Sequence, residues 1–286
     1  MGIAWGLAAA LLWGLADYNA AVASRQTGAL RVVVAFHVAA TVVLVALCVA
    51  TGTIDDVAPG DLWKFVWVGA LGALSYATFY KALEIGPISI ASPIISAYAA
   101  MTIVLAVVIA GEMLSGGQTA AVVVVMVGVL LASADLAQVH RIERRQARGL
   151  VLALVTAVAI GAFVFGNAYY AGEYGWLLPI FLSRGFATVF LLGAAAMGGA
   201  GRRPEGRTQA WFGLVVLLAA LDTGGYVAFN LGAERADTSI VSAASAPYAV
   251  IPIVAGVLLF RERPPPVQWL GVSAVIGGVV LLGLIS

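Results

Sequence analysis

The 286-residue chain is 62% hydrophobic and only 10% charged, with a mean hydropathy of +1.03 and a net charge of +1. Soluble domains carry about 25% charged residues, so this composition cannot supply a water-facing surface, and its near-neutral charge excludes a basic nucleic-acid face or an acidic tail. One cysteine (Cys48) and two histidines (His37, His140) exclude an intrachain disulfide and a cysteine-based zinc site; no cofactor is expected.

Ten tracts long enough to cross a bilayer follow one another at 3–23, 29–50, 62–81, 88–111, 118–135, 149–171, 177–198, 210–232, 239–260 and 268–285. Their length and lack of period-2 alternation exclude barrel strands. The first tract ends in Ala21-Val22-Ala23, the form of a signal-peptidase site. It nevertheless reads as a retained helix, because it has no basic start, is too long, and holds Asp17. Gly2, Gly6, Ala10 and Gly14 give it a small-residue stripe that admits another helix closely. Trp13 lies early in this tract, and His37 lies inside the second. Tyr76 and Tyr80, four apart in the third, share one helical face. The fourth holds Tyr98 near Pro93 and closes on Glu112, read as a cap for the backbone amides of its own hairpin; Gln118 opens the fifth in a similar way. A basic linker, 136–148, leads to the sixth tract with Asn167, Tyr169 and Tyr170. Arg184 lies about eight residues into the seventh, counting from Trp176, and Asp222 near the middle of the eighth, followed by Tyr226 and Asn230. The ninth carries Pro247 and Tyr248 and closes on Glu262; Gln268 opens the tenth.

Sliding the chain against itself by 150 residues matches 76–133 to 226–283 without a gap, with 18 of 58 positions identical. Tyr76 meets Tyr226, Phe79 meets Phe229, Tyr98 meets Tyr248, Glu112 meets Glu262 and Gln118 meets Gln268. The front parts align at an offset of 147, with Gly14 on Gly161, His37 on Arg184 and Thr41 on Thr188. The units are 1–135 and 149–286. Because five is odd, the second copy enters the bilayer from the opposite side. The expected fold is therefore an all-α membrane protein of ten transmembrane helices in two inverted five-helix repeats. Such repeats hold a binding site near the midplane and exchange access by rocking. No GxxxxGK[ST] loop is present for ATP, so the pattern points to a secondary transporter.

The run Trp13-Gly14, Tyr76 to Ala82, Ile90-Ala91-Ser92, Gly111-Glu112, Gln118 and Gly128-Val129 resembles the EamA family of the drug/metabolite transporter superfamily. Its second copy is Tyr226, Ser242, Pro247, Arg261-Glu262, Gln268 and Gly278-Val279. The resemblance implies a ten-helix exporter or permease for small metabolites, with a central cavity lined by helices 1, 3, 4, 6, 8 and 9. It implies no single substrate.

Twelve of the fifteen Lys and Arg residues flank odd-numbered connections, against Lys64 and Arg235 on even ones. By the positive-inside rule this places both termini outside. The family resemblance implies termini inside.

Ionisable groups within hydrocarbon are costly and mark function by default. Asp222, and after it Asp17, read as carriers of a proton or partners of a substrate amine; the plainer readings are a pair with Arg184 for the one and a wet helix end facing Arg25 for the other. Arg184 reads as a clamp for a substrate carboxylate, and its repeat mate His37 as an interhelical packing residue. Trp13, Tyr76, Tyr80, Tyr98, Asn167, Tyr226, Asn230 and Tyr248 read as a binding set, the rings offering cation–π faces. Trp63, Trp67, Trp176, Trp211 and Trp269 read as an interfacial belt. An amino acid or related amine is the leading cargo, with a lipophilic cation as the alternative. An intramembrane lipid-modifying enzyme or a non-transporting receptor is the rival class. Expected partners are the small-molecule cargo and the lipid bilayer, with no nucleic acid and no ATP; a monomer is compatible with the sequence. Thirteen Arg against two Lys in an Ala- and Val-rich chain suggests a bacterial plasma membrane.

Overall fold

The computed structural model describes residues 1–53, 58–85, 94–95, 97–133, 144–198, 208–250 and 265–285. These form ten α-helices among the described residues and no strand: α1 (Gly2–Thr27), α2 (Ala29–Thr51), α3 (Leu62–Ile85), α4 (Tyr98–Val108), α5 (Gly116–Ser133), α6 (Arg144–Tyr174), α7 (Leu177–Gly198), α8 (Thr208–Ala233), α9 (Thr238–Ser245) and α10 (Pro266–Ile285). Helices are the expected answer to this composition, since they satisfy every backbone amide within one segment. Five of them, α2, α6, α7, α8 and α10, are long and apolar enough to cross a membrane. Val42, Phe212 and Leu284 are more than 60% exposed on the outer faces, where lipid would serve as solvent.

Three expectations about the elements change. The helix α6 begins at Arg144, inside the segment read as linker. The ninth tract is not one helix: α9 stops at Ser245 and a 3-10 turn follows over Ala246–Val250, where Pro247 cannot donate to an α-helical carbonyl. Glu112 does not cap its own hairpin. Its Oε1 accepts the Thr238 amide at 2.7 Å, and Oε2 accepts the Ser239 amide at 2.9 Å and the Ser239 hydroxyl at 2.6 Å. It thus caps α9, in the other half of the chain. Asp237, the residue before α9, makes no side-chain cap. Burial, and then the Glu112 charge, raise its carboxyl above the usual range. The reading of Gln118 holds, since Ser115 and Gln118 cap each other's amides at 3.2 and 2.9 Å as α5 begins. Pro93, His140 and Glu262, and the side chain of Arg25, lie outside the described residues.

Helix packing has a two-fold pattern. The helix α1 packs on α8 and α3 on α6; α4 packs on α6 and α9 on α1; α2 meets α7, α4 meets α9 and α5 meets α10. Replacing each helix by the one five places away turns this set into itself. Small residues make the closest approaches. A Cβ on Gly128 of α5 would lie 2.7 Å from the Val275 nitrogen, and one on Gly278 of α10 would lie 2.7 Å from Val125. Gly271 faces Ala132, and Gly117 faces Ile285. Partners on α10 fall in number as those on α5 rise, so these helices run antiparallel. The Gly2–Gly6 stripe does admit another chain segment: a Cβ on Gly6 would meet Ala244 and the Val241 carbonyl at 2.7 Å.

Candidate functional site

A cavity of about 50 Å³ lies between the halves, lined by Trp13 and Asp17 of α1, Tyr76 and Phe79 of α3, Ile95, Tyr98 of α4, Ile160 and Val164 of α6, Asp222 and Tyr226 of α8, and Tyr248. That is space for a few water molecules.

One wall carries a buried ion pair, with Asp222 at the cavity and Arg184 behind it. Arg184 Nη2 donates to Asp222 Oδ2 at 2.6 Å, and the Tyr76 hydroxyl donates to Asp222 Oδ1 at 2.8 Å. Both carboxylate oxygens therefore have a donor. Burying two charges is unfavourable unless attraction and hydrogen bonds offset the lost hydration, and rings complete the shell here. The guanidinium carbon lies 5.0 Å from the Tyr76 centroid, 5.2 Å from that of Tyr226 and 5.6 Å from that of Phe36. Tyr76 and Tyr226 are repeat mates, so Arg184 sits between equivalent side chains of the two halves. Its own mate, His37, is equally buried and donates from Nδ1 to the Val33 carbonyl at 3.0 Å. A carbonyl only accepts, so Nδ1 carries the proton. The mates Thr41 and Thr188 touch directly, with hydroxyl oxygens 2.9 Å apart.

Asp17 also faces the cavity and makes no ion pair or hydrogen bond among the described residues. Around it are Trp13, with its ring 5.0 Å from Tyr226 and 6.2 Å from Tyr98, and Tyr248, 5.7 Å from Tyr98. The Tyr98 hydroxyl lies 3.2 Å from Ser245 Oγ.

Seven of the residues singled out in the sequence thus line one space: Trp13, Asp17, Tyr76, Tyr98, Asp222, Tyr226 and Tyr248. Four do not. Arg184 lies behind Tyr76 and Tyr226, engaged with Asp222. Tyr80 stacks on Phe36 at 5.6 Å, and Asn230 donates to the Trp176 carbonyl at 3.1 Å. Asn167 donates to the Phe163 carbonyl and accepts from Ser183, joining α6 to α7. The sequence reading missed Phe36 and the aliphatic wall of Ile95, Ile160 and Val164. Ile160 stands at the repeat position of Trp13, the one signal that could have found it. No group of three or more His, Cys, Asp or Glu that could hold a metal occurs among the described residues. Of the expected belt, Trp63 and Trp269 are 65% and 47% exposed, whereas Trp211 donates from Nε1 to Thr27 Oγ1.

A solved structure described only as "Crystal structure of protein" shares this fold, with a TM-score of 0.77 and 17% identity over 99% of this chain and 96% of that one. No curated protein matches. The sequence profile of the EamA-like transporter family matches twice, over residues 1–134 and 147–284. With both halves matched and an all-helical fold to fit, the chain belongs to the EamA-like transporter family, multi-pass membrane proteins of the drug/metabolite transporter superfamily.

Proposed function

We propose that this protein is a secondary active transporter of a small organic amine, with amino acids among the candidates, working by alternating access. Its ten helices would span the bilayer as two repeats inserted in opposite senses. Antiparallel packing of the mates α5 and α10, and the two-fold pattern of helix contacts, support the inversion. The positive-inside bias of the connections supports termini outside a bacterial plasma membrane.

The observation that carries the reading is a cavity shared by both repeats that contains a carboxylate with no partner among the described residues. Asp17 and Asp222 bring two carboxyl groups to the space and Arg184 one guanidinium beside it. Aromatic faces beside it suit an ammonium group. Asp222 already has two donors, so Asp17 is the group free to accept a substrate ammonium or a proton. A cavity of about 50 Å³ is far below the usual 300 Å³ or more of a ligand site, so loading must move the helices apart. An amino acid would place further demands on the site. Its carboxylate would reach the free Nε and Nη1 of Arg184 only after Tyr76 and Tyr226 swing aside.

The test is flux in proteoliposomes with labelled amines and amino acids, with and without a pH gradient. Wild type should transport, and Asp17→Asn should abolish both cation transport and its response to pH. Transport of the same cations by Asp17→Asn at the wild-type rate would overturn the assignment.

A further inference from the structure

Within the cavity, Trp13 is the largest side chain, and its position depends on a missing one. The indole lies against α8 at Gly225. A Cβ there would come within 2.5 Å of Trp13 Cδ1 and 2.9 Å of Cε2, and would overlap Nε1 as well. The neighbouring Gly224 is different: a Cβ on it would meet only Leu12, at an ordinary 3.4 Å. A glycine inside a helix is unfavourable relative to alanine, so Gly225 needs a packing reason, and the indole supplies it. Trp13 also borders Tyr226, Tyr98 and the open space.

The other repeat is built in the opposite way. Ser75 occupies the position of Gly225 in α3, and Ile160 that of Trp13 in α6. One half gives up a side chain to seat a large ring; the other keeps a side chain and carries a smaller residue. The cavity consequently has a broad aromatic wall facing an aliphatic one of Ile160 and Val164.

We propose that Gly225, by seating the Trp13 indole against α8, sets the size limit of the molecule the cavity accepts. That the molecule is cargo rests on the transport reading above; the seating of the indole does not. A Cβ at position 225 would overlap the indole, and a ring displaced toward the cavity would fill a space of only about 50 Å³.

The test uses the full chain in detergent with 5-fluorotryptophan at all seven tryptophans, the Trp13 ¹⁹F signal being assigned by its loss in Trp13→Phe. Gly225→Ala should shift that signal, and Gly224→Ala should leave it in place. Affinity is then measured for the n-alkylammonium series from methyl to hexyl and for the matching alcohols. Gly225→Ala should weaken the longer members by about tenfold or more, the effect of one methylene in a tight apolar pocket, while methylammonium changes little. Trp13→Phe in the Gly225→Ala background should restore them. An unmoved Trp13 signal in a folded Gly225→Ala protein, an unchanged length limit, or failure of wild type to bind either series would overturn the proposal. Binding of alcohols but not amines, with the length limit shifted as expected, would keep it and sink the ammonium reading instead.

Discussion

At the scale of single residues, Arg184 decides how the other polar groups are used. Its guanidinium has no exposed surface, and Asp222 with Tyr76 supplies its polar contacts. Removing one member of such a pair strands the other charge, at a cost of about 3–5 kcal/mol. Arg184→Met should therefore lower thermal stability in detergent sharply, and the double variant Arg184→Met with Asp222→Asn should recover much of the loss. If the double variant is as unstable as the sum of the singles, the two side chains do not act as a unit. The pairing was legible in the sequence as the plainer of two readings, because two opposite charges in neighbouring apolar tracts need each other. That Tyr76 would complete the carboxylate's shell was not legible. A tyrosine at a repeat position reads equally well as cavity wall, and it serves as both.

Among the elements, α9 takes its N-terminal cap from the other half of the chain. It spans only Thr238–Ser245 before the Pro247 turn, and its first two amides end on Glu112. A hydrogen bond to a charged group contributes about 1.5–3 kcal/mol, so losing this cluster matters for so short a helix. Glu112→Ala should speed hydrogen exchange at the Thr238 and Ser239 amides and lower the unfolding temperature. Glu112→Gln, which keeps one acceptor, should fall between. Exchange at those amides unchanged in Glu112→Ala would show that the cap contributes nothing. The repeat at Glu112 and Glu262 announced that the residue mattered, and its carboxylate suggested capping. Its target was hidden, because spacing along one hairpin cannot show that a helix from the other half arrives within reach. Helix ends were blurred for a related reason: hydropathy carries on through Pro247, whereas hydrogen bonding does not.

For the whole molecule, the internal repeat carried most of what could be read beforehand. Identities at an offset of 150 foretold which helices are equivalent, and the contacts pair those equivalents as a two-fold would. The shared cavity follows, since the mates Tyr76 of α3 and Tyr226 of α8 converge where the halves meet. The offset of 147 sets His37 against Arg184 and Trp13 against Ile160, but it could not supply where those unlike pairs sit about the cavity. Those differences are where a duplicated scaffold becomes selective.

The inverted arrangement is tested most directly by asking from which side equivalent positions can be reached. In a Cys48→Ala background, Gly116→Cys and Pro266→Cys place one thiol at the matching starts of α5 and α10, both exposed. A membrane-impermeant maleimide should label one of them only in right-side-out vesicles and the other only in inside-out vesicles. Labelling of both from the same side would contradict the opposed insertion of the repeats, and with it the account of transport built on them.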